Sequence, residues 1–205
     1  IANNELIKFF RCFSELDNIN IKGKISRKDL LTNSSIVWSM SLPFLFYKKN
    51  IRSFDVLDKP LLKKINLNSP PFRSRNNKKK IGICWRGNPK NRRDNERSID
   101  PNILKNILQN KDYDFFVFHK KINQIDKKII QKHPNVFSLS DNLNDFYESS
   151  CYLNEMNMVI TVDTSVLHLA GTLKKKTMAL LPFVPDPRWK IQDGKFWYKT
   201  IEFIF

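Results

Sequence analysis

Two hydrophobic rhythms alternate along the later part of the chain. Short runs of apolar residues at 80–85, 114–119, 135–139, 158–162 and 177–181 have the length and composition of β-strands, and 200–205 supplies one more. Between them, apolar side chains recur with helical spacing at 100–109, 122–131, 143–154 and 165–173. Asp100 followed by Pro101 has the chemistry of a helix start: an aspartate N-cap, then a proline whose missing N–H is harmless in the first turn. Strands alternating with helices at this spacing predict an α/β fold, with helices on both faces of a parallel sheet. Right-handed crossovers make such a sheet doubly wound and Rossmann-like. Its ligands sit beyond the C-terminal ends of the strands. That rule selects Arg86, Gly87, Asn88, His119, Lys120, Ser140, Asp163, Thr164, Ser165 and the segment from Pro182 onward.

The earlier part of the chain is less regular. Leu6, Ile7, Phe9, Phe10, Phe13 and Leu16 give residues 5–16 one apolar face and predict a helix. Residues 19–21 read as a short extended piece, and 35–43 as a strand ending in a turn at Pro43. Apolar density then falls. Pro60, Pro70, Pro71 and a basic run at 73–80 mark a linker.

Composition narrows the class. The 205 residues suit one large domain, or one domain and part of another. Hydrophobic residues make up 41% and 16 are Phe, enough for a packed core, so wholesale disorder is excluded. The net charge of +16 points to anionic partners: nucleic acid, a membrane surface or phosphorylated small molecules. Taken alone, the charge is better read as a solvated surface in a chain crowded with Lys, Asn and Ile. Cys12, Cys84 and Cys151 are few and widely spaced, without metal-ligand or redox-motif spacing, so a reduced cytoplasmic compartment is expected. No apolar run reaches about 18 residues and no secretory signal is present in the sequence. The chain opens on Ile1 within a helical pattern, and its true N-terminus is expected upstream.

Three segments carry candidate chemistry. Asp163, Thr164 and Ser165 follow a buried strand and open a helix. The backbone N–H groups of Thr164, Ser165 and Val166 are expected to point into the crevice and, with the helix dipole, to suit a diphosphate. The hydroxyls of Thr164 and Ser165 add donors, and His168 lies one turn further in, within reach of a phosphate. The same residues also read as an ordinary capped helix with a half-buried histidine, and the short pattern does not separate the two.

The second segment runs from Trp85 through Arg86, Gly87, Asn88, Pro89 and Lys90 to Arg92, Arg93, Arg97 and Ser98. Gly87 is expected to let the backbone approach a ligand closely. The cations are expected to neutralise a leaving nucleoside diphosphate. Arg97, just before the next helix, is the best placed of them, whereas Arg92 and Arg93 also read as a solvated basic loop. In the third segment, Arg188 and Trp189, with Trp197 and Tyr198 beyond, either flank a base or sugar or pack on the domain edge.

Other chemistries find no support. No glycine-rich dinucleotide fingerprint, Walker loop or nucleophile elbow occurs in the sequence. His119, His133 and His168 are not grouped like metal ligands. Trp and Phe are spread through strands and helices as core residues, not as a face for stacking bases.

Taken in order, the segments 81–89, 97–99, 159–171 and 180–182, the pair Arg188-Trp189 and the pair Trp197-Tyr198 resemble the C-terminal domain of glycosyltransferase family 9. These are the heptosyltransferase-like proteins, here in the form often fused to tetratricopeptide repeats in bacteria. The resemblance covers most of 79–205. It extends more loosely to Ser41-Leu42-Pro43, which looks like the end of the family's N-terminal domain.

The resemblance implies a GT-B architecture, two Rossmann-like domains facing a cleft. The C-terminal domain binds a nucleoside-diphosphate sugar; the N-terminal domain binds the acceptor and supplies a carboxylate base. On that basis 1–60 is expected to be the incomplete end of the acceptor-side domain, 61–79 a linker, and 80–205 the donor domain without its final helix. The implied donor set is Arg86, Gly87, Asn88, Arg97, Asp163, Thr164, Ser165 and His168. Within it, Thr164, Ser165 and His168 meet the phosphates, Asp163 meets sugar or ribose hydroxyls, and Arg97 stands near a basic phosphate contact. The sequence departs from the family at Ser165, where heptosyltransferases proper tend to have Gly, and at His119, where Gln is frequent.

The expected activity is metal-independent, inverting transfer of a sugar to an acceptor hydroxyl, with no cofactor beyond the donor. The acceptor is a glycan, a lipid-linked molecule or a protein. The catalytic base lies outside this sequence, so this piece alone is expected to be inactive. Its place is the cytoplasm, with peripheral contact at the inner membrane surface. One alternative is a non-catalytic nucleotide-sugar-binding or scaffolding module. Nucleic-acid binding is another and predicts steep salt dependence, but the basic residues are scattered instead of lining one element, so no nucleic-acid partner is expected.

Overall fold

A computed structural model describes residues 78–186, 189, 198 and 200–204. The helix expected at 5–16, the segments at 19–21 and 35–43, the linker, the domain bounds before residue 78, Arg188 and Trp197 lie outside the described residues.

Six strands form one sheet: β1 (Lys79–Cys84), β2 (Tyr113–Val117), β3 (Val136–Ser138), β4 (Met158–Val162), β5 (Thr177–Leu180) and β6 (Ile201–Ile204). Their order is β3-β2-β1-β4-β5-β6, and every neighbouring pair is parallel. The expected doubly wound, Rossmann-like α/β architecture is therefore present. The register sets Ile83 beside Val117 and Cys84 beside Thr161.

The helices are α1 (Asp94–Arg97), α2 (Lys105–Leu108), α3 (Gln124–Lys132), α4 (Phe146–Asn154) and α5 (Ser165–Thr172). Because both sheet faces are covered, the strands are continuous apolar runs, and successive residues serve opposite cores. Phe115 and Val117 pack with Leu108 of α2 and Ile129 of α3. Phe116 and Phe118 pack with Leu153 of α4 and Leu169 of α5. A third core of Leu167, Ala179, Leu181, Trp189 and Ile201 closes the β5–β6 side.

Three helices begin on capping side chains. Asn123 accepts the Asp126 N–H at 2.8 Å, Asp145 the Glu148 N–H at 2.7 Å and Thr164 the Val166 N–H at 3.3 Å. These caps move the starts expected at 122 and 143 to Gln124 and Phe146. The helix expected at 100–109 is shorter. Asp100 does accept the Asn102 N–H on its side chain at 3.0 Å. The chain then makes three-residue turns, Ile103 N–H to Asp100 and Leu104 N–H to Pro101, before α2 begins at Lys105. Asn102, Asn106 and Asn110 are weak helix formers, and Pro101, Leu104 and Leu108 are the buried residues of the segment. Helix α1, four polar residues without apolar periodicity, was not expected.

Helix α5 ends in a Schellman motif. Lys175 N–H donates to the Ala170 carbonyl and Lys174 N–H to the Gly171 carbonyl, each at 3.0 Å. Lys174 takes the left-handed conformation usually left to glycine, with φ of 55°. Among the described residues no helix is long and apolar enough to cross a membrane.

Candidate functional site

The strand order reverses between β1 and β4, so the crevice of a doubly wound sheet opens between the segments leaving these two strands. Both segments contain residues selected from the sequence.

The segment after β1 is fastened by buried polar groups. Trp85 is fully buried, and its indole Nε1 donates to Asp126 Oδ1 at 2.9 Å. The backbone N–H groups of Trp85 and Arg86 both donate to His119 Nε2, at 3.1 and 3.3 Å. A ring nitrogen that accepts two N–H groups carries no proton, so the imidazole is neutral with its hydrogen on Nδ1. That nitrogen lies 3.8 Å from Asp126 Oδ2. Burial pushes the His119 pKa down to about 4, against the pull of Asp126 and with the repulsion of Arg86. His119 was expected at the rim; it is instead a buried clamp that joins the end of β2 to the end of β1.

Gly87 serves a different purpose from the one expected. Its N–H donates to Ser98 Oγ at 3.0 Å, and that hydroxyl donates to Asp94 Oδ2 at 3.1 Å. A Cβ at Gly87 would stand 2.2 Å from Asp94 Oδ1 and 2.6 Å from Arg97 Nε. The missing side chain makes room for this Asp94–Arg97 ion pair of the protein itself. Asn88 closes an exposed turn, its Oδ1 accepting the Lys90 N–H at 3.0 Å.

Arg97 does lie at the crevice, as a tie. Its Nε donates to Asp94 Oδ1 at 3.0 Å and its Nη1 to the Asp163 carbonyl at 2.9 Å. The segments leaving β1 and β4 are thereby joined. Arg93 reaches further, donating from Nη2 to the Val184 carbonyl beyond β5 at 2.9 Å. The residues from Trp85 to Ser98 therefore span the edge from β1 past β4 to the β5 loop.

After β4, Asp163 is buried and Thr164 is the N-cap of α5. Thr164 Oγ1 also lies 3.4 Å from Thr161 Oγ1 and 3.8 Å from Cys84 Sγ. Because it accepts the Val166 N–H, that donor serves the cap and not the expected anion. Ser165 is exposed at the first position of α5. The Cys84 thiol donates to the Arg86 carbonyl at 3.4 Å. Burial raises its pKa to about 11 despite hydrogen bonds with Thr164 and Thr161, so it stays a protonated, inert thiol.

His168 joins the third candidate segment. Its Nδ1 is 3.1 Å from Tyr198 Oη, and its ring stacks on Trp189 with centroids 5.0 Å apart. Tyr198 lies over Gly171, where a Cβ would meet the ring at 2.4 Å from Cγ. Trp189 is buried in the third core, so of its two readings the structure takes packing on the domain edge.

Asp126, which holds both Trp85 and Arg86, was missed. The signal was available: Asp126, Ile129 and Ile130 share one helical face, so a carboxylate interrupts an apolar stripe. Among the described residues no group of three or more His, Cys, Asp or Glu is arranged to hold a metal ion. The donors gathered at this edge are arginine guanidinium, hydroxyl and helix N-terminal N–H groups, which suit an anion. Compared with known proteins, the chain matches no family model, no curated protein and no solved structure.

Proposed function

We propose that this chain binds a nucleoside-diphosphate sugar at the C-terminal edge of its sheet and forms the donor half of an inverting glycosyltransferase. One observation carries the reading. At the point where the strand order reverses, Arg97 ties the cationic loop after β1 to the Asp163 carbonyl at the start of α5. This brings arginine side chains and the capped N-terminus of an eight-residue helix to one crevice. Both are chemistries for a diphosphate. The order of motifs that resembles glycosyltransferase family 9 supports the same assignment.

In the proposed reaction an acceptor hydroxyl oxygen attacks the anomeric carbon. The bond from that carbon to the diphosphate oxygen breaks, and its electron pair leaves with the nucleoside diphosphate. The hydroxyl proton passes to a base supplied from the acceptor side. Arginine and helix N–H groups stabilise the charge developing on the leaving group, without a metal ion. The acceptor is a glycan, a lipid-linked molecule or a protein, met in the cytoplasm or at the inner membrane surface.

A second reading, a non-catalytic nucleotide-sugar-binding module, is favoured by the ion pairs that hold Asp94 with Arg97 and Asp126 with Arg86. Neither carboxylate is left to act as a base. Calorimetry on the folded chain with uridine, adenosine, guanosine and cytidine diphosphates tests both readings. Saturable binding of one nucleotide, weakened by His168→Ala, is expected; no binding of any of them defeats both. Transfer of a labelled sugar from the donor to an acceptor then separates enzyme from binding module.

A further inference from the structure

Arg86 is held unlike the other arginines of the rim. Its Nε donates to Asp126 Oδ1 at 2.8 Å and Oδ2 at 3.0 Å. The Asp126 side chain is 0% exposed, whereas that of Arg86 is 28% exposed. A fully buried carboxylate is costly unless it is paired and hydrogen-bonded. Asp126 satisfies that demand with Trp85 Nε1 and Arg86 Nε. Guanidinium is a rigid, planar fork, so fixing Nε also fixes the plane and direction of both terminal nitrogens. Among the described residues, no hydrogen bond engages the Nη groups of Arg86, while Arg97 and Arg93 each spend an Nη on a carbonyl.

We propose that Asp126 is a positioning residue for the donor site. From the buried face of α3 it orients Arg86 so that the Arg86 terminal nitrogens bind the diphosphate oxygens. The inference rests on the donor-site reading above and adds to it the residue that aims the cation.

Charge and orientation predict opposite signs here. Asp126→Asn keeps Oδ1 as an acceptor for Trp85 Nε1 and Arg86 Nε, but in place of Oδ2, 3.0 Å from Arg86 Nε, it sets an amide N–H group against that donor. The variant also removes the buried negative charge that offsets Arg86, leaving the rim more positive. If charge alone governs the site, an anion binds more tightly. If aim governs it, binding weakens.

The test is calorimetry of the full chain with the nucleoside diphosphate that binds the wild type, alongside circular dichroism to confirm folding. Asp126→Asn is expected to weaken binding about tenfold, the size of one charge-assisted hydrogen bond. Arg86→Ala is expected to weaken it at least as much, and the double variant no further than Arg86→Ala alone. Unchanged or tighter binding by Asp126→Asn, or additive losses in the double variant, overturns the positioning role while leaving the donor site standing. Should Asp126→Asn not fold, Arg86→Lys decides. It keeps the charge and the pairing with Asp126 but has no second nitrogen to offer, so wild-type affinity in that variant overturns the proposal. A wild-type chain that binds none of the diphosphates overturns the donor-site reading and this inference with it.

Discussion

His119 accepts the backbone N–H of Trp85 on its Nε2 at 3.1 Å, so this side chain can hold the end of β1 only while that nitrogen is unprotonated. The folded pKa is pushed down to about 4 by burial, below the ordinary value of 6.5. The unfolded chain therefore binds the proton first as pH falls. The contribution of His119 is complete above pH 6.5 and is lost progressively between 6.5 and about 4. The loss amounts to roughly 3 kcal/mol at most. In His119→Gln, an amide oxygen can accept the same two N–H groups without titrating. Urea denaturation at pH 7.5 and 5 is expected to show a smaller drop for the variant than for the wild type; equal drops would refute the assignment.

Gly87→Ala should destabilise the protein by about 1–3 kcal/mol, the range of an overpacked site. The added methyl group would enter the space of Asp94 Oδ1 and Arg97 Nε, whose ion pair holds the loop. Because the disturbance is local, amide exchange should quicken first between Trp85 and Ser98. A thermal midpoint and exchange pattern like the wild type would show that the loop has slack.

Thr164 caps α5 through Oγ1, 3.3 Å from the Val166 nitrogen. Thr164→Ala should cost about 1 kcal/mol by leaving that donor unmatched, and Thr164→Ser should restore most of it. Chemical denaturation of the three proteins distinguishes a cap from a methyl packing contact. In the second case the serine variant would be as weak as the alanine.

Lys174→Gly should raise stability by about 1 kcal/mol, because only the side chain opposes the left-handed conformation there. The two hydrogen bonds of the Schellman motif are backbone bonds and survive the change. An unchanged or lowered denaturation midpoint would mean that the lysine side chain supplies contacts that outweigh its strain.

The elements were legible where burial imposes a rule along the chain. Strands covered on both faces must be apolar throughout, so 81–84, 115–117 and 159–162 announced themselves. The caps at Asn123 and Asp145 are written in the sequence too, but the apolar pattern begins before them and so points to an earlier start. Helix α1 left no apolar signal. It is held by polar pairs, Asp94 with Arg97 and Arg93 with Glu96.

By itself the sequence determined the alternation of strands and helices, hence a parallel sheet, and so the loop ends where a ligand belongs. It also placed Thr164 at a helix start, because capping depends on neighbours only two residues away. Only the tertiary structure decided what the side chains at that edge do. Arg97 and Asp163 are 66 residues apart, Trp85 and Asp126 are 41 apart, and His168 and Tyr198 are 30 apart. Such pairings depend on which strands become neighbours and on which face of a helix meets the sheet, and no local pattern of residues encodes them. Burial then set the chemistry: His119 neutral, Cys84 protonated and Asp126 held by Trp85 and Arg86.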